Sequence, residues 1–130
     1  MINMNRKWLI FLSLITIGWI VLIYVESSQP PPKILGEIQG LDKIAHFAVY
    51  SVLGVMIVAI LTIIDTYKKI PVLPLAVFLV VIAGVFDEFH QALVPERNAN
   101  VWDLLADFCG GLFATFAIQR FVKKGQINHA

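Results

Sequence analysis

Four long apolar stretches separated by short polar segments dominate the chain. The first, Trp8–Val25, carries no charge. The second begins near Leu41 and runs to Ile64, with Asp42, Lys43 and His46 confined to its first turns. The third covers roughly Val72–Leu93 and ends in Asp87-Glu88-Phe89-His90-Gln91, and the fourth, about Val101–Val122, has Asp103 and Asp107 near its start. A spanning helix needs roughly 20 mostly apolar residues. The pattern therefore predicts an all-α integral membrane bundle of about four transmembrane helices, with 1–130 as a single membrane domain.

The connections carry their own signals. The linker Glu26–Gly40 contains Ser27-Ser28 and Pro30-Pro31-Pro32, a composition expected to be extended and poor in helix. Asp65–Ile70 is short and polar, and Pro71 suits the first turn of the helix that follows. Val94–Asn100 is a tight polar turn whose last residue can cap the fourth helix. Arg6 and Lys7 before the first apolar run also fit a cleaved signal peptide. That run exceeds the usual ~7–15 residues of such a segment and no Ala-x-Ala site follows, so an uncleaved spanning helix is expected.

Composition supports a lipid environment. Of 130 residues, 58% are hydrophobic and 15% charged, against about 45–50% and about 25% in soluble domains. So much apolar surface exceeds what a soluble domain of this length can hide, which makes membrane lipid the expected partner. The lone Cys109 excludes an intramolecular disulfide and a paired-cysteine zinc site. A net charge of +1 argues against nucleic acid as a partner.

The charges are unevenly distributed. With the N-terminus in the cytoplasm, Arg6, Lys7, Lys68, Lys69, Arg120, Lys123 and Lys124 lie inside, and only Lys33, Lys43 and Arg97 outside. The positive-inside rule then puts both termini in the cytoplasm. Asp65 is the one acid on the inner side. Tyr24 and Trp102 fall near the outer interface, Trp8 and Tyr67 near the inner one, and Trp19 lies deeper with no role evident from the pattern.

On this topology the charged ends of three helices meet at one depth. Asp42, His46 and Tyr50 are spaced by four and share a helix face, as do Gly84, Glu88 and Gln91, with Asp87 flanking. Asp103, Asp107, Gly110, Ala114 and Ala117 form a stripe of acids followed by small residues, opposite an apolar face of Leu105, Phe108, Leu112, Phe113 and Phe116. Small residues let helices approach, and membrane charges turn inward, so the acids should face the bundle interior. Plainer roles exist for each residue alone. Asp42 and Asp103 suit helix first turns, Asp87 and His90 can face headgroups, Tyr50 and Cys109 can simply pack, and Arg97 can be an ion-pair partner. The Ala106, Gly110, Ala114 spacing also suits a homo-oligomer contact.

The ordered set Asp42-Lys43-Ile44-Ala45-His46-Phe47, then Glu88-Phe89-His90-Gln91, then Arg97 and Asp103 before Gly110-Gly111 resembles the VanZ-like family of small bacterial membrane proteins. The resemblance spans about Leu41–Ala117 and points to Asp42, Lys43, His46, Glu88, Gln91, Arg97, Asp103, Asp107 and Gly110. Two positions depart from its pattern: Glu96 replaces the usual glycine before Arg97, and Asp107 the usual asparagine. The resemblance implies a place in the bacterial cell envelope, in the cytoplasmic membrane, and an association with resistance to the glycopeptide teicoplanin.

Three kinds of chemistry are open to such a cluster. A polar or lipid-linked envelope ligand could be gripped by Arg97 and Lys43 and oriented by Asp103, Asp107, Glu88 and His46. An intramembrane enzyme acting on a lipid-linked substrate would use His46 and Glu88 as base and acid, and Asp103, Asp107, Glu88 and His46 are candidate ligands for a divalent cation. An ion-coupled carrier lacks charged residues at mid-depth in the second and third helices, and a structural subunit is the remaining alternative. The topology is tested by reporter fusions at Asp65 and Asn98. Asp65 is expected to report from the cytoplasm and Asn98 from outside, and an extracytoplasmic signal at Asp65 would overturn the orientation.

Overall fold

The computed structural model describes residues 2–65 and 69–127. The helices are α1 (Ile2–Ser27), α2 (Lys33–Glu37), α3 (Leu41–Ile64), α4 (Val72–Gln91) and α5 (Val101–Ile127), and no strand forms among the described residues. Four of them, α1, α3, α4 and α5, are long and apolar enough to cross a membrane. The protein is an all-α, multi-pass membrane protein. Tyr67 and Lys68 lie outside the described residues, as do the side chains of Lys123 and Lys124.

Helix ends differ from the sequence expectation where polar residues continue a helix past its apolar core. α1 begins at Ile2 and α5 continues to Ile127, while α4 stops at Gln91. The linker is not uniformly extended: α2 follows the proline run, with Pro32 at φ −53° and ψ 135° as its N-cap. Proline is compatible with a helix start, where the missing N–H has no intrahelical partner to lose. Pro71 likewise sits one position earlier than expected, as the N-cap of α4. Asn100 caps α5 through its side-chain oxygen, which accepts from the Trp102 N–H at 3.1 Å.

α3 is the central helix and packs against α1, α4 and α5, with its most extensive contact to α5. Tyr50, Leu53 and Val80 form the buried centre, with Trp19, Ile23, Val49, Ile57 and Ala83 against it. The large outward side chains, among them Phe86, Phe113 and Phe116, are left exposed by the protein itself and face the surrounding lipid. Between helices, lipid is as apolar as the side chains it replaces, so association depends on close packing and on hydrogen bonds. Both are present. Trp19 donates its indole N–H to the Val49 carbonyl at 3.2 Å, tying α1 to α3. Gly110 brings α5 onto α3 so closely that a Cβ there would lie 2.6 Å from the Phe47 carbonyl oxygen and 3.0 Å from the Ser51 nitrogen.

Those neighbours are backbone atoms and cannot rotate away. Gly110→Val is expected to separate α3 from α5 and to destabilise the bundle by about 1–3 kcal/mol, the usual cost of overpacking. Thermal unfolding of the purified protein in detergent measures this; an unchanged midpoint would contradict the α3–α5 contact.

Candidate functional site

The polar residues gather at one end of the bundle, where α1 and α4 end and α3 and α5 begin. Each helix brings them there for a local reason. Acids at the starts of α3 and α5 complement the positive helix N-termini. Those at the end of α4 gain no such support and are held by side chains and backbone of the neighbouring segments.

Lys43, in the first turn of α3, bridges two acids: its Nζ lies 2.8 Å from Asp42 Oδ2 and 3.1 Å from Asp103 Oδ1. One turn deeper, Asp107 has no exposed surface. Its Oδ1 accepts from His46 Nδ1 at 3.0 Å, and its Oδ2 rests against Gly84, where a Cβ would come within 2.6 Å. Gly84 thus makes room on α4 for an acid from α5. The His46 ring stacks in parallel with Tyr50 at a centroid distance of 6.1 Å. Glu88 is buried and accepts the Asn100 backbone N–H through Oε2 at 2.7 Å. Glu88 Oε1 and Asp107 Oδ2 are buried with no hydrogen-bond partner among the described residues.

Asp87 and Gln91 form a second group facing α1. Gln91 donates to Asp87 Oδ2 at 3.0 Å, and the Ser27 hydroxyl donates to Asp87 Oδ1. Asp87 is therefore mostly buried and partnered. His90 is also engaged, with Nε2 2.9 Å from Ser28 Oγ and its ring stacked on Tyr24 at 4.4 Å. Among the described residues Arg97 forms no ion pair with the acids. It donates Nε to the Gln29 carbonyl and Nη2 to the Glu26 carbonyl, both at 2.7 Å, so it clasps the last turn of α1 and the segment just after it. Glu96, just before it, has φ 66°, in the left-handed region that costs a non-glycine residue about 1–2 kcal/mol.

Between α1, the linker and the ends of α3, α4 and α5 lies a cleft of about 400 Å³. Its lining mixes apolar residues, among them Trp19, Leu22, Ile23 and Leu35, with the polar Asp42, His46, Asp87, Gln91, Arg97 and Asp103. Lys43, Glu88 and Asp107 do not line it. Of the candidate metal ligands, His46, Glu88 and Asp107 come together, with one ligand atom of each within 4.8 Å of the others. Asp103 stands apart, held by Lys43.

The α1 contribution, made by Trp19, Tyr24, Ser27 and Ser28, could not be read from helix periodicity. The one available hint was that Ser27-Ser28 closes the first apolar run on the same side as the other charged ends. Arg97→Lys is expected to keep the charge but lose the two-donor clasp, lowering the unfolding midpoint in detergent by an amount equivalent to about 1–3 kcal/mol. An unchanged midpoint would remove Arg97 from the anchoring of α1.

A family model described as VanZ/LLP1 matches residues 2–122. Neither a curated protein nor a solved structure matches the chain. The family match takes in the four candidate spans and the whole polar cluster, and the chain belongs to the VanZ/LLP1 family.

Proposed function

We propose that this protein works in the bacterial cytoplasmic membrane with the polar end of its bundle outward, that its cleft receives the head of an amphiphilic or lipid-linked envelope ligand, and that it thereby lowers susceptibility to glycopeptides such as teicoplanin. The observation that carries this reading is the mixed lining of one cleft, in which apolar Trp19, Leu22, Ile23 and Leu35 are joined by the acids Asp42, Asp87 and Asp103. An amphiphile carries both kinds of surface and can be met by both kinds of lining residue. Asp65 is the only acid away from this end, and the cationic loops on the opposite side favour a cytoplasmic position for it.

The electrostatics narrow the ligand's head group. Lys43 is already shared by two carboxylates, and two Arg97 donors are used on the Glu26 and Gln29 carbonyls. The polar lining is therefore rich in acceptors, and a head bearing hydroxyls, amides or an ammonium complements it better than a bare phosphate.

A second reading is an enzyme acting on a lipid-linked envelope substrate. It is favoured by His46, which lines the cleft while the buried Asp107 carboxylate orients its ring, an arrangement suited to a general base.

Susceptibility to teicoplanin in a sensitive host is the test. Expression of the wild type is expected to raise the inhibitory concentration, and Asp103→Asn, at equal membrane abundance and thermal stability, to abolish the gain. Equal protection by the stable variant would remove the cleft's ionic wall from the function. No protection by the wild type would sink the glycopeptide reading.

A further inference from the structure

We propose that His46, Glu88 and Asp107 bind one divalent transition-metal ion, of the zinc or manganese type, beneath the cleft. The three residues come from α3, α4 and α5, and one ligand atom from each lies within 4.8 Å of the others. Metal–ligand bonds of about 2.0–2.2 Å at tetrahedral angles place ligand atoms about 3.3–3.6 Å apart. Closing the set therefore requires the ligand atoms to draw together by at most about 1.5 Å.

The second observation concerns what the cluster lacks. Asp107 is 0% and Glu88 7% exposed, yet Asp107 Oδ2 and Glu88 Oε1 have no hydrogen-bond partner among the described residues. Buried carboxylate oxygens are nearly always satisfied, and two orphans on residues of one cluster call for a missing partner. Lys43 cannot serve, since its ammonium lies between Asp42 and Asp103. Among the described residues Asp107 has His46 as its only ion-pair partner and Glu88 has none. A divalent ion would balance the two formal carboxylate charges inside the membrane, where uncompensated charge is most costly.

The donor set indicates the class of ion. Magnesium and calcium prefer oxygen-only surroundings with more ligands, whereas an imidazole with two carboxylates suits zinc, manganese or iron(II). His46 also lines the cleft, so the ion would lie one residue from whatever the cleft holds. Metal binding does not depend on the identity of that ligand.

The test uses the full chain in detergent, stripped with a chelator and dialysed against zinc, manganese or magnesium. Metal content and thermal unfolding are measured on the same samples. Zinc or manganese is expected to bind at about one equivalent per chain and to raise the unfolding midpoint, while magnesium does neither. Glu88→Gln and Asp107→Asn are each expected to weaken binding more than about tenfold. Asp103→Asn should retain the metal, which separates this site from the ionic wall tested with teicoplanin. If a carboxylate variant does not fold, His46→Gln and the wild-type midpoint shift decide the matter. A folded, stripped wild type that takes up neither zinc nor manganese would overturn the proposal. So would uptake that Asp103→Asn abolishes and Glu88→Gln leaves intact.

Discussion

Lipid offers nothing to a carboxylate, so an acid without exposed surface in a membrane bundle must find its partners within the protein. Asp107 imposes that requirement here. Its position is possible only because Gly84 has no side chain, because His46 reaches it from α3, and because Gly110 lets α5 lie against α3. Removing any of these would leave the acid clashing or uncompensated. The contacts that accommodate one residue thus set how three helices pack.

The same requirement explains how α1 joins the bundle. It is the most lipid-exposed of the spanning helices, with few buried residues. Polar contacts attach it instead: the Trp19 indole on α3, Ser27 on Asp87, Ser28 on His90, and the Arg97 clasp at its end. Most of these lie at the polar end of the bundle. Between them and the packed core, Trp19, Leu22 and Ile23 of α1 border the cleft.

The polar cluster falls into three groups of contacts. Lys43 with Asp42 and Asp103 forms an ionic rim, Asp87 and Arg97 anchor α1, and His46, Glu88 and Asp107 form a deeper group with unused acceptor capacity. Lys43 and Arg97 neutralise or fasten other parts of the protein. A ligand for the cleft would therefore bring its own hydrogen-bond donors, and the deeper group can accept a cation without competing for them.

The spans, their all-α character and the convergence of three charged helix ends were legible in the sequence because each is a local property. Twenty apolar residues must become helix in lipid, and spacing by four must share a face. The small-residue stripe of α5 was legible for the same reason, as was capping by Asn100. Which acid meets which partner was not. Asp103 and Asp107 are one turn apart on a single face, yet one pairs with Lys43 and the other with His46. Arg97, a plausible anion ligand by type, turned to the carbonyls of a helix far away in sequence. Trp19 and Ser27 showed no periodic signal because their partners lie on other helices. Periodicity determines the face a residue occupies. Only the depth and rotation at which the helices pack decide what that face meets.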